Sequence, residues 1–348
     1  MRIAIVAPPW VPVPPPAYGG AEAVLDTLAR GLRRAGHAVV LYATGDSTCP
    51  VERAWTYEQA LGVGVGGMAA ELRHVIAAYD LVGEADIVHD HTVVGPVYAG
   101  RFPERAMVTT NHGPFDAELA AVYGVVTDRV PLIAISHHQA STAGAVPVAG
   151  VIHHGVDLDR FPSGRGDGGY ALFLGRMTPE KGVHTAVEVA RAAGVPLRIA
   201  AKMREEAEQA YFAARVKPLL GGEVEYLGEV GNDDKLDLLA GALCLLNPIA
   251  WPEPFGMVMV EALACGTPVV ATPRGAAPEI VERGVTGFLA PDTAGLAAAV
   301  ARVGDLDRHA CRRSVQERFS MARLAQDHVA LYEQVLARRA VQLQPSAA

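Results

Sequence analysis

The chain has 348 residues, half of them hydrophobic and a fifth charged, which suits two folded domains of about 100–200 residues each and excludes a disordered chain. Its formal net charge of −8 argues against a nucleic-acid surface, where a basic stripe is expected, yet leaves room for one phosphate-bearing ligand held by a few local cations. Cys49, Cys244, Cys265 and Cys311 lie far apart with no CxxC. No structural zinc or disulfide framework is therefore expected, and the cytoplasm is the natural compartment.

Residues 2–7, RIAIVA, read as a strand buried on both faces. This run is too short for a signal peptide and is broken by Pro8 and Pro9. Residues 20–35 follow as a helix, with Val24, Leu25, Leu28, Ala29 and Leu32 at helical spacing. Further strands are expected at 38–43, 86–89, 107–110, 132–135 and 148–152. The stretch 161–169, FPSGRGDGG, has little to bury and reads as an interdomain linker. Strands at 170–174, 197–200, 224–227, 242–246 and 268–271 then alternate with helices at 180–193, 204–219 and 255–264, and the last helices are expected over 318–339. Strand–helix alternation implies parallel sheets covered by helices on both faces, an α/β chain with two Rossmann-like domains. The expected domains are 1–163, completed by a terminal helix over 325–348, and 168–324. No run approaches the ~18 apolar residues of a membrane span.

Ligands of open α/β sheets bind beyond the carboxyl ends of the strands, and three stretches there carry chemistry. Gly19 and Gly20, before the first helix, let backbone amides approach an anion. The run GRMTPEKG, 175–182, places Arg176 and Lys181 at a strand end and helix start, where cations oppose the helix dipole unless an anion lies between them. A diphosphate fits, with Arg offering paired donors and Lys a point charge. In PEPFGMVMVEA, 252–262, Glu253 precedes a helix and Glu261 lies eight residues on, flanked by Met259, Val260, Ala262, Leu263 and Ala264. A carboxylate in such apolar company needs a partner, and a cis-diol can donate to both of its oxygens.

The pair Glu253…Glu261 within WPEPFGMVMVEALACGTPVVAT resembles the E-x7-E signature of family 4 glycosyltransferases, retaining enzymes of the GT-B fold. GRMTPEKG resembles their G-R-x-x-x-E-K-G motif, and YGGAE at 18–22 their N-terminal glycine loop. DIVHDHT, TNHGPF, IAISHH and VIHHGVDLDRF also stand in the family's order, so the resemblance spans roughly the whole chain. It implies two Rossmann-like domains facing each other across a cleft, with the acceptor on the first and the donor on the second. It further implies that Arg176 and Lys181 hold the diphosphate and that Glu261 binds the ribose. Glu253 and the amides of Phe255, Gly256 and Met257 would hold the transferred sugar, and Gly175 would line the donor site. Gly19 and Gly20 would contact phosphate or acceptor, and His112 would touch the donor sugar near the anomeric carbon. Gly275 matches the first of two glycines in another family loop, the second being Ala276 here.

The implied reaction moves a sugar from a nucleoside diphosphate sugar, with UDP favoured, to a hydroxyl of a small molecule or glycan. It requires neither cofactor nor metal. Excess Arg over Lys and abundant Ala suggest a high-GC genome, and the chain resembles glycosyltransferases that decorate oligosaccharide antibiotics such as avilamycin. A nucleotide-sugar epimerase or hydrolase of the same fold, or a non-catalytic nucleotide-sugar binder, are the alternatives.

Other patterns carry less. The GxGxxG match at 62–67 has no strand before it. His89 and His91 are expected to face opposite sides with no third metal ligand, and to form hydrogen bonds instead. The pairs Asp157/Asp159 and Asp305/Asp307 imitate a metal-binding DxD but lie near the linker and between helices. Ser136 lacks the GxSxG elbow of a nucleophile.

Overall fold

The computed structural model describes residues 1–17, 19–62 and 67–342. Tyr18 of the glycine loop, residues 63–66 of the GxGxxG match and the end of the expected terminal helix, 343–348, lie outside the described residues.

The strands form two sheets. The first contains β1 (Arg2–Val6), β2 (Ala38–Ala43), β3 (Glu52–Trp55), β4 (Ile87–Asp90), β5 (Met107–Thr110), β6 (Leu132–Ala134) and β7 (Val148–Val151), in the order β3-β2-β1-β4-β5-β6-β7. The second contains β8 (Ala171–Arg176), β9 (Leu197–Lys202), β10 (Val224–Gly228), β11 (Cys244–Asn247), β12 (Val269–Ala271) and β13 (Gly287–Leu289), in the order β10-β9-β8-β11-β12-β13. Every pairing between named strands is parallel. In each sheet the strand order reverses beside the first strand of the sequence, between β1 and β4 and between β8 and β11. That reversal opens a crevice at the carboxyl ends where ligands bind in such folds.

The chain divides into two compact units. One comprises Met1–Pro15, Gly19–Gly155 and the chain from Met321 onward, and the other is built on Val156–Ser320. The boundary thus lies at Gly155/Val156, ahead of the expected break between 163 and 168, and the returning helix starts at Met321 rather than 325.

The glycine-rich stretch is not a free tether. Gly164, Gly166 and Gly168 donate to the carbonyls of Cys265, Ala240 and Gly241 at 2.8, 3.1 and 2.9 Å. Arg308 donates to Gly164 and Ala242 carbonyls, both at 3.1 Å. A Cβ on Gly164 would stand 2.1 Å from the Ala240 oxygen, so close backbone packing is what glycine serves here.

In the first unit the last helix, Met321–Gln342, packs on the helix Gly20–Arg34. Gly31 permits the approach, since a Cβ there would lie 2.9 Å from Met321 Cγ. Tyr332, fully buried, and Arg339, which donates to the Arg105 carbonyl at 2.7 Å, fasten the helix further along. In the second unit the helix expected over 204–219 is broken. An α-helical turn, Glu206–Tyr211, passes into a π-turn, Phe212–Val216, and a 3-10 turn, Lys217–Leu219. Pro218, which has no amide hydrogen, stands at that final turn.

Candidate active site

The second unit gathers most of the expected donor residues at the β8/β11 reversal. Arg176 ends β8, and Lys181 closes a 3-10 turn, Pro179–Lys181, just before the helix Val183–Ala193. Gly182 joins turn to helix at φ +75°, and a Cβ there would stand 2.1 Å from the Pro248 oxygen. Ala250 donates to the Glu180 carbonyl at 2.8 Å. The loop after β11 is therefore clasped directly against the loop after β8, which brings Glu253 to Lys181.

Neither cation is bare. Lys181 Nζ donates to both oxygens of Glu253, at 2.7 and 2.5 Å, with both side chains largely buried. Arg176 makes a longer contact to Glu180, 3.3 Å, across one turn. Glu253 also accepts from the Trp251 indole at 3.0 Å. Its backbone is held from another side, where Ala276 donates to the Glu253 carbonyl at 3.0 Å. Gly275 sits at φ +59°, and a Cβ there would lie 2.2 Å from the Glu253 oxygen. In the structure Gly275 is thus required by its contact with the Glu253 loop.

Glu261 lies within the helix Met257–Ala264 and meets Lys235 Nζ at 2.8 Å through Oε1. The partner demanded by its apolar surroundings is supplied by the helix Asn232–Gly241, which sequence spacing did not link to it. Gly256 caps the helix at φ +97°, so its first amides, beginning with Met257, follow a left-handed glycine. The first amides of a helix have no partner within it and can meet sugar hydroxyls. Phe255 is buried and packs edge-on to Phe319, while Gly175 sits within β8, where a Cβ would touch only Phe173 at 3.7 Å.

In the first unit Gly19 caps and Gly20 starts the first helix, with the Ala23 amide donating to Gly19 at 3.1 Å. A Cβ on Gly19 would lie 2.7 Å from Pro15 Cβ, so the glycine lets the proline-rich loop close over the helix start. His112, expected to reach a sugar with its ring, has both ring nitrogens engaged. Nε2 lies 2.8 Å from His91 Nδ1, and Nδ1 lies 3.3 Å from His154 Nε2.

His89 and His91 share a face, with ring centroids 3.9 Å apart, because residues two apart on a strand point the same way. The expectation of opposite faces was therefore wrong, although the hydrogen bonding expected of them is present. His89 lies between Tyr332 Oη at 2.7 Å and Thr110 Oγ1 at 2.8 Å. Burial holds these imidazoles neutral. It pushes His112 and His328 down to about 4, and His89, His91 and His154 well below the ordinary value. Asp90, between them in sequence, is fully buried and accepts from Tyr79, from the Thr92 amide and from the Thr92 hydroxyl, each at 2.7 Å.

Of the aspartate pairs, Asp307 caps the helix Arg308–Arg318 through the His309 amide at 2.8 Å and pairs with Arg313 at 3.1 Å. Ser136 caps the helix His137–Thr142 by accepting from the Gln139 amide at 2.9 Å. All four cysteines are buried free thiols. Among the described residues no helix is long and apolar enough to cross a membrane.

Two parallel sheets, each with its strand order reversing beside its first strand, define an α/β protein of two Rossmann-like units, and comparison with known proteins gives its class. Residues 156–318 match the family described as Glycosyl transferases group 1, and residues 18–160 match Glycosyltransferase Family 4. Glycogen synthase of Mycobacterium tuberculosis is 30% identical over 376 residues, covering 90% of this chain and 88% of its own length. AviGT4, a glycosyltransferase involved in avilamycin A biosynthesis, superposes with TM-score 0.77 at 28% identity, covering 97% of this chain and 98% of its own. Alr3699/HepE of Anabaena, solved in complex with UDP and glucose, shares the fold with TM-score 0.76 at 21% identity, covering 96% of this chain and all of its own. The chain belongs to the family 4, group 1 glycosyltransferases of GT-B type, and it is a glycosyltransferase.

Proposed function

We propose that the chain transfers a sugar from a nucleoside diphosphate sugar, a UDP-sugar, to a hydroxyl of a small molecule or glycan, with retention at the anomeric carbon and without a metal. The observation that carries this reading is the meeting of Lys181 with Glu253 at the β8/β11 reversal, beside Arg176 and the helix that holds Glu261. Arg176 and Lys181 supply positive charge for the diphosphate, and Glu253 with the Gly256 and Met257 amides offers partners to sugar hydroxyls. Glu261 accepts from ribose hydroxyls. A ribonucleotide follows from that role, and the UDP bound by HepE supports uracil as its base. An acceptor for antibiotic assembly is supported by the likeness to AviGT4.

In the reaction the acceptor oxygen bonds to the anomeric carbon as the bond from that carbon to the phosphate oxygen breaks. The acceptor proton passes to the departing phosphate on the same face. Stabilising the developing charge there is where enzymes of this kind gain most.

The test is a screen of UDP-, GDP- and ADP-sugars against hydroxyl acceptors, read by mass spectrometry, with NMR of the earliest product and a parallel reaction in EDTA. Transfer from a UDP-sugar with the donor's anomeric configuration, unchanged by EDTA, is expected. An inverted product, or loss of activity on chelation that Mn²⁺ restores, would overturn the reading.

A further inference from the structure

Trp251 has no part in the roles assigned so far, yet it meets both members of the Lys181–Glu253 pair. Its indole nitrogen donates to Glu253 Oε2 at 3.0 Å, and Lys181 Nζ stands 5.5 Å from its ring centroid. Glu253 therefore has two side-chain donors of different kinds. Lys181 is a point charge on a flexible four-carbon stem, free to follow a stronger anion. Trp251 is a rigid donor with no acceptor function, and it does not compete for phosphate through charge.

The Glu253 main chain does not depend on Lys181. Glu253 donates to the Trp251 carbonyl at 3.0 Å, Ala276 donates to the Glu253 carbonyl at 3.0 Å, and Gly275 packs on the same peptide. When a diphosphate draws Lys181 away, the backbone stays and the carboxylate loses its cation. A largely buried carboxylate without a partner is costly.

We propose that Trp251 is the positioning residue that holds Glu253 through this exchange: donor diphosphate takes Lys181 from Glu253, and the indole N–H keeps the freed carboxylate aimed for the sugar. The inference rests on the reading of Lys181 as a diphosphate ligand and of Glu253 as a sugar ligand. The Lys181–Glu253 ion pair is then a resting arrangement, and Glu253 is released to sugar hydroxyls only as the diphosphate arrives. The cation–π contact gives the exchange an optical signature, because the ammonium leaves the ring face as Lys181 turns to phosphate.

Two measurements test this. The chain has three tryptophans, Trp10, Trp55 and Trp251, so Trp10→Phe with Trp55→Phe leaves Trp251 as the sole indole. UDP titrated into that variant should shift Trp251 emission along the same isotherm that calorimetry gives for binding. Saturating UDP binding without any emission change overturns the exchange.

The second measurement is a cycle of Trp251→Phe and Glu253→Gln, with UDP affinity and transfer followed together. Trp251→Phe should lower kcat roughly tenfold to a hundredfold, as expected for a lost hydrogen bond to a charged group, with a smaller change in UDP affinity. Trp251→His, which keeps a ring N–H, should recover part of the loss. In Glu253→Gln the Trp251→Phe change should add much less. Full multiplicative loss in that background, or no recovery by His, overturns the positioning role. UDP binding in Lys181→Ala separates the two levels. If UDP binds that variant as tightly as wild type, the reading of the diphosphate site fails. If binding needs Lys181 but Trp251 and Glu253 act independently, only this inference fails.

Discussion

Lys235 Nζ sits 2.8 Å from Glu261 Oε1, so the carboxylate expected to hold a ribose already has a cation on one of its oxygens. That contact orients the carboxylate before any ligand arrives, and it limits the penalty for removing a single ligand hydroxyl. UDP should bind the wild type about tenfold more tightly than 2′-deoxy-UDP, the low end of what a hydrogen bond to a charged group is worth. Glu261→Ala should erase the difference. Equal affinity of the wild type for both nucleotides by calorimetry would show that Glu261 does not hold the ribose.

Lys181→Ala and Arg176→Ala should each lower kcat/KM by roughly 10²–10³, the usual loss when one donor to a charged transition state is removed. Lys181→Ala also deprives Glu253 of its cation while leaving the Trp251 N–H, so its melting temperature should fall only modestly. Near-normal turnover in the double variant would place the diphosphate elsewhere.

Two glycines of the site respond to alanine for opposite reasons. At Gly275, φ +59° and a Cβ position 2.2 Å from the Glu253 oxygen mean that alanine must displace the loop bearing Glu253. Both melting temperature and transfer rate should drop. At Gly175 a Cβ meets only Phe173 at 3.7 Å, so stability should be unchanged. Any loss of UDP affinity in Gly175→Ala then reports a ligand that approaches the backbone, and unchanged affinity removes Gly175 from the donor site.

The buried histidines set an acid limit on stability. His74, His112 and His328 are pushed by burial from 6.5 to about 4. Between those values the unfolded chain binds protons that the folded chain refuses, so stability present above the unfolded value is lost as pH falls through the folded one. Asp90 acts in the opposite sense. Burial raises it from 3.8 to about 6, so its contribution is present at low pH and lost as pH rises through about 6. Glu22, also raised by burial, acts in the same sense as Asp90, and with several histidines against these two carboxylates the melting temperature should fall from pH 6.5 towards 4. His328→Gln should flatten that slope and Asp90→Asn should steepen it. A wild-type melting curve level across this range would show that the imidazoles titrate freely.

The alternating sheets were legible because their central strands are short apolar runs, such as Ile3–Ile5 and Leu245–Leu246, buried on both faces. The edge strands β3 and β13 were not. ERAW in β3 is exposed or half-buried throughout, and GFL in β13 is too short to show a period. The glycine-rich break was visible, but its attachment to Arg308 depends on a residue more than a hundred positions away.

Within the site, Arg176, Lys181, Glu253 and Glu261 stood out because unlike chemistry recurs at strand ends. Their partners did not, since Lys235 comes from another helix and Trp251 carries no charge to mark it. For His112 the sequence showed a histidine after β5, whereas its partners arrive from the end of β4, the neighbouring strand, and from beyond β7, two strands away on the other side, an arrangement that only the sheet order reveals.

The helix Met321–Gln342 belongs to the unit that the chain left at Gly155, so the first sheet and its last helix come from opposite ends of the polypeptide. A fragment ending at residue 155 lacks the helix that covers Gly31 and carries Tyr332 to His89. A hybrid made with a relative by a single crossover near that residue would pair one parent's first helix with the other's last. Recombination that keeps each unit intact needs two crossovers, near 155 and 320, so that the last helix is inherited together with the first sheet.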